Sequence, residues 1–188
     1  EGGLDVLSQV RAEIQSGNFL MLYLFFDVPY GAALVLAGRM SEGVQFIEAA
    51  IERFTQWGNE TQPAFGHLVL GDIYTQIALG ERKPPWRVLL RNLGFVLRVV
   101  PVARRRAYTH LRQAVELAAR IDNHWLQGQA HFHLAKLEHT AGHRAGAIAQ
   151  LRESQRLVES LGSTPLLGKI AGLRGELQLE ELKWDATH

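Results

Sequence analysis

The sequence repeats its packing residues every 40 positions, so the chain folds as a stack of similar units rather than around one irregular core. Gly38, Gly43, Ile47 and Ala50 stand in the same relative order as Gly142, Ala147, Leu151 and Ser154. A glycine turn is followed by a small residue, an aliphatic residue and another small one. Spacings of four and three place the last three on one helix face, where small side chains let a neighbouring helix approach closely. A second small residue precedes each turn by seven positions, at Gly31 and Ala135. Two series follow. One runs Gly31 to Gly71 and Ala135 to Gly175; the other runs Gly3 to Gly43 and Ala107 to Ala147, all steps of 40. Gly71 to Ala135 and Gly43 to Ala107 are both 64 apart, so both series break by the same 24 residues. An insertion therefore separates the two helices of one pair.

This register predicts an all-α chain. A half repeat occupies 3–16, followed by a pair at 19–37 and 41–57. A second pair at 62–79 and 102–121 is split by the insertion, a third lies at 125–141 and 144–161, and a last helix covers 165–182. The whole of 1–188 then forms one repeat domain, with 3–57, 62–121 and 125–161 as its successive parts. Joints carry helix-ending chemistry at Gly17-Asn18, Gly58-Asn59, Asp122-Asn123 and Gly162-Ser163, after which Thr164 is placed to cap and Pro165 to open the last helix. No stretch shows the two-residue alternation of a strand.

With 47% hydrophobic and 21% charged residues, the chain has the composition of a globular protein. A net charge of +1 gives no global attraction to nucleic acid or to an anionic membrane. The absence of cysteine excludes disulfides and thiolate chemistry and suits a reducing compartment, so the cytoplasm is the expected location. The chain begins at Glu1, carries no signal-peptide pattern, and is expected to be a piece of a longer protein.

Leu70, Gly71 and Tyr74 on the first helix of a pair, and Ala107, Leu111 and Ala114 on the second, resemble tetratricopeptide (TPR) repeats, with a longer period than the usual 34 or so. The resemblance implies a right-handed α-α superhelix of TPR-like pairs, carrying the 24-residue helical insertion. Three segments, Asn92 to Arg98, Ala103 to Ile121 and Gly172 to Leu177, are also similar to the carboxy-terminal repeat region of large bacterial signalling proteins. Those proteins join a class III nucleotide cyclase domain to an ATPase module and TPR-like repeats. By that resemblance the repeats are regulatory, the chemistry lies upstream, and the partner is another protein or another domain of the parent chain. Similar repeats follow the ATPase module of some large transcription regulators, which leaves the parent open.

The resemblance also implies where a partner docks. In TPR-like stacks the first helix of each pair lines a groove. The corresponding positions here are Val28, Ala32 and Val35, then Leu68, Asp72 and Thr75, then Phe132, Lys136 and His139. Their mixture of apolar and polar side chains suits a peptide or helix. The alternative is a groove already filled by the insertion or by the end of the chain. The asparagine and lysine arrangement with which chaperone-binding TPR domains hold a carboxylate is absent.

The insertion, about 80–106, segregates charge. Arg82, Lys83, Arg87, Arg91, Arg98, Arg104, Arg105 and Arg106 face only Glu81, a local excess of seven. After Pro84-Pro85, a helix from Trp86 to Val100, ended by Pro101, carries too many apolar residues for one narrow stripe. Its arginines argue against a transmembrane segment. Besides that span, three readings compete: an interfacial membrane helix, nucleic-acid contact with Arg104 to Arg106 as phosphate partners though no reader motif accompanies them, and an extra helix packed on the stack whose exposed apolar side forms a homodimer contact. The protein-interaction scaffold is the expected function, nucleic acid is not the expected partner, and the alternative is a membrane-surface or nucleic-acid-associated regulatory domain acting through this insertion. The candidate assembly or anionic-partner surface is Trp86, Leu89, Phe95, Arg104, Arg105 and Arg106.

Five histidines, His124, His131, His133, His139 and His143, fall within twenty residues. Only His139 and His143 have helical ligand spacing, and Gly142 interrupts them at a turn, so no metal is expected. Phosphate-loop, nucleophile-elbow and dinucleotide motifs are missing, and Glu176, Glu180 and Glu181 read as a solvated helix face. No catalytic residue and no cofactor is expected.

Overall fold

A computed structural model describes residues 2–16, 20–81, 86–159 and 161–187, and among them the chain is all-α. The helices are α1 (Gly2–Ser16), α2 (Leu20–Leu36), α3 (Met40–Gln56), α4 (Thr61–Leu79), α5 (Trp86–Arg91), α6 (Leu93–Val99), α7 (Ala103–Arg120), α8 (His124–Thr140), α9 (Arg144–Glu159) and α10 (Thr164–Thr187). A 3-10 turn, Val100–Val102, joins α6 to α7.

The most extensive packing joins α2 to α3, α4 to α7 and α8 to α9. Each pair is antiparallel, because numbering falls along one helix as it rises along the other. Asp27 pairs with Arg53 and Tyr30 with Phe46; Glu60 pairs with Arg120 and Tyr74 with Arg106; Ser154 bonds to Gly128, and Gln150 to His131. The helix that completes α4 therefore lies beyond the insertion, as the two equal breaks of 64 require.

Packing at the repeat positions explains the spacing. A Cβ on Gly31 would lie 2.5 Å from Ile47 Cγ1, and a Cβ on Gly71 would lie 2.5 Å from Leu111 Cδ2. Gly43 is tighter still, since its Cβ would meet the backbone oxygen of Gly31 at 2.5 Å. Glycine at these points lets the helix axes approach, and the small-residue contacts bury Ile47 and Leu111 completely. The outermost members of the two series differ: nothing lies within 4 Å of a Cβ built on Gly3 or Gly175. Those two glycines meet no packed neighbour, although the period places them on the same face.

One apolar core runs from α2 and α3 through α4 and α7 to α8, around Val28, Ile47, Phe54, Leu70, Tyr74, Leu111 and Leu137. A second lies between α8, α9 and α10, around Ala135, Leu151, Val158, Leu166 and Ile170. Gly38, Gly58, Gly80, Gly142 and Gly162 close helices with positive φ. At Gly38, φ is 78° and the turn lies against Val88, so both backbone and space require glycine. Asn59 and Asn123 accept from Gln62 N and Leu126 N, capping α4 and α8. Thr164 does not cap α10; its hydroxyl donates to Gly162 O at 3.4 Å, and Ser163 O takes the first helical amides instead.

The insertion departs from the expected single helix. It breaks into α5 and α6 at Asn92, whose buried amide is bonded to the α2–α3 turn. Asn92 Nδ2 donates to Gly38 O at 2.7 Å and to Val88 O at 2.8 Å, while its Oδ1 accepts from Met40 N at 3.2 Å. Arg91 adds a bond to Ala37 O. The inserted residues are thereby latched onto the preceding pair.

Candidate functional site

Helices α2, α4, α8 and α10 present their side chains to one groove of about 1290 Å³, and α6 forms its remaining wall. Apolar lining comes from Ala32 and Val35 on α2, Leu68, Val69 and Ile73 on α4, Phe95, Val96 and Val99 on α6, Phe132 on α8 and Leu173 on α10. The first helices of the pairs share this face because their partners, α3, α7 and α9, occupy the other one.

Polar groups are concentrated along α4, α8 and α10. Asp72 accepts from Gln76 Nε2 at 2.8 Å, and its other oxygen lies 3.4 Å from His133 Nδ1. Burial holds His133 below the ordinary histidine range; Asp72 opposes that shift, and Lys136 and Lys169 add to it. His133 is therefore neutral at pH 7. Lys136 Nζ reaches Glu81 Oε1 at 2.5 Å across the groove edge, and His139 Nε2 lies 3.9 Å from Glu176 on α10.

Of the nine positions expected to face a partner, Ala32, Val35, Leu68, Asp72, Phe132 and Lys136 line this groove. Val28 and Thr75 do not. Both are completely buried, Val28 in the core and Thr75 with its hydroxyl donating to Gly71 O at 2.7 Å, because these positions turn toward the neighbouring helix. His139 stands beside the groove against Glu176.

The expected surface of the insertion is rearranged. Trp86 is exposed, but Phe95 turns inward to line the groove and pack on the core, and the Leu89 side chain lies outside the described residues. Arg106 is also drawn inward and donates to Tyr74 Oη at 2.8 Å, leaving Arg104 and Arg105 on the surface at the start of α7. Arg82 and Lys83 lie outside the described residues.

The five clustered histidines disperse to separate partners. His124 meets Asp122, His131 meets Gln150, His133 meets Asp72, His139 meets Glu176 and His143 meets Glu138. Among the described residues, no three histidine or carboxylate side chains converge on a point that would hold a metal ion.

A different histidine pair was not singled out by spacing. His67 on α4 and His110 on α7 place their Nδ1 atoms 2.9 Å apart, and His110 stacks on Tyr74. One ring must donate and the other accept, so the pair is stable only while at least one nitrogen is unprotonated. Burial pushes both down to about 4, with His67 and Arg106 reinforcing the shift at His110. The signal was present in the period: His67 and His131 are 64 apart, His110 and Gln150 are 40 apart, and both couples bond across their helix pair.

Comparison with known proteins gives no matching family model and no matching curated protein. No helix among the described residues is long and apolar enough to cross a membrane.

Proposed function

We propose that this chain is a TPR-like interaction domain that receives a peptide or helix of a partner protein in the groove between α2, α4, α8 and α10. The single observation that carries the reading is that groove. It is larger than the roughly 300–1,000 Å³ typical of small-molecule sites, has an apolar floor, and is edged by Asp72, His133, Lys136 and Glu81. An amphipathic segment supplies the matching chemistry: apolar side chains for Val69, Ile73 and Leu173, and polar groups for the charged edge. On the resemblance drawn above, the domain is a regulatory scaffold within a larger bacterial signalling protein, of the kind that carries a nucleotide cyclase, and performs no bond chemistry itself.

Selection from a random peptide library tests the reading. Enriched peptides are expected to be amphipathic and to lose about tenfold or more in affinity on Ile73→Asp, with circular dichroism checking that the fold is kept, since Ile73 also packs against the core. Peptides that bind Ile73→Asp and wild type equally would refute groove docking.

A further inference from the structure

The outer face of the insertion carries a feature independent of the groove. Trp86, Leu90, Leu93 and Leu97 recur at spacings of four, three and four, and are 65%, 60%, 49% and 67% exposed. Two lie on α5 and two on α6, so each of the two short helices contributes a pair to one exposed apolar row in the sequence. Arg87, Arg91 and Arg98 are exposed beside it, and no acidic residue occurs anywhere from 82 to 106. Glu81, just before that stretch, is engaged by Lys136.

We infer that this row is a peripheral membrane-binding element, lying in the interface of a lipid surface that contains anionic headgroups. Such a surface is the occupant that satisfies both halves of the patch. Hydrocarbon at the headgroup boundary covers the tryptophan and leucines, while phosphates neutralise the arginines. Duplex or single-stranded nucleic acid answers the arginines but leaves four large apolar chains in water. A second copy brings another arginine row against the first with no carboxylate between them. A partner helix needs a groove of two apolar rows, and the other exposed apolar chains nearby, Leu36 and Val100, belong to the groove on the inner side.

The geometry is preset. Asn92 and Arg91 tie the insertion to the α2–α3 turn, so α5 and α6 present the row without first being ordered. Even as one unbroken helix, Trp86 to Leu97 would measure only roughly 16 Å at 1.5 Å per residue, far too short to span a bilayer.

The test is sedimentation of the 188-residue chain with phosphatidylcholine vesicles, with and without phosphatidylglycerol, at low and high salt. The chain is expected to sediment with the anionic vesicles, to be released by salt, and to ignore phosphatidylcholine alone. Leu93→Ser with Leu97→Ser should lower partitioning at least about tenfold. Arg87→Gln and Arg98→Gln should each lower it about fivefold at low salt. Because all four side chains are exposed, circular dichroism should show unchanged helicity in every variant. Failure to sediment with anionic vesicles overturns the inference, as does binding that the leucine variant leaves intact. Self-association abolished by the leucine variant, without vesicle binding, overturns it in favour of a second copy. Salt-sensitive binding to duplex DNA that survives the leucine variant, again without vesicle binding, overturns it in favour of nucleic acid.

Discussion

Adding one methyl group at different glycines should change stability with opposite signs, in an order set by what each Cβ would meet. Gly71→Ala gains about 1 kcal/mol of helix propensity. It also places a methyl 2.5 Å from Leu111 Cδ2 and 2.7 Å from Leu111 Cγ, where van der Waals contact begins at 3.4 Å. Leu111 is fully buried and must shift to admit the methyl, so overpacking of this kind costs about 1–3 kcal/mol and the net effect is a loss of about 1 kcal/mol. Gly43→Ala is worse, because its methyl meets the Gly31 carbonyl oxygen at 2.5 Å and the Val35 amide at 2.8 Å. Backbone cannot rotate aside, so the α2 and α3 axes must separate, and a loss of about 3 kcal/mol is expected. Gly168→Ala and Gly172→Ala on α10 meet nothing within 4 Å and should gain about 0.5–1 kcal/mol. Thermal unfolding followed by circular dichroism resolves these differences, at about 2–4 °C per kcal/mol for a chain of this size. If Gly43→Ala and Gly71→Ala raised the midpoint as Gly172→Ala does, the close-packed helix pairs would be wrong.

Replacing Asn92 by Leu removes three hydrogen bonds and leaves Gly38 O and Met40 N without partners, so about 2 kcal/mol should be lost; hydrogen exchange should quicken in α5 and α6 while the α4 and α7 amides keep their protection. Asp27 is fully buried against Arg53, so Arg53→Met should cost about 3 kcal/mol in urea unfolding and Asp27→Asn with Arg53→Met much less than the two single changes added together. Acid should act through His67 and His110. Their folded values are depressed to about 4 from the unfolded 6.5, so the unfolded chain binds more protons between those limits and stability falls as pH drops through that window. About 4 kcal/mol, about 2 from each ring, should be lost between pH 7 and pH 5, and His67→Leu should remove about half of that pH dependence.

The period made the pairing legible because close helix packing depends on side-chain size at fixed intervals. Gly31 with Ile47 and Gly71 with Leu111 recur in sequence and meet at the same separation in space. The equal breaks even showed that α7, not the insertion, completes the pair with α4. The TPR resemblance, applied at that register, implied most of the positions that line the groove, among them Ala32, Asp72 and Lys136 next to the packing residues. Val28 and Thr75 escaped it because a position near the edge of a helix face is buried or exposed according to how the next helix crosses, which one helix's periodicity does not contain. The insertion was the least legible part. A single amide, Asn92, determines where it breaks and where it docks, through partners some fifty residues away, and one polar residue leaves no periodic trace. Phe95 falls on the inner side for the same reason, since the break at Asn92 decides which side of α6 meets the core.

The most direct test of the central claim is nuclear magnetic resonance of the isotopically labelled chain, titrated with a library-selected peptide. Shifts are expected at Ala32, Asp72, Ile73, Phe132, Lys136 and Leu173, the residues that α2, α4, α8 and α10 turn toward one groove. Shifts confined to α3, α7 and α9, on the opposite side of the pairs, would contradict that claim.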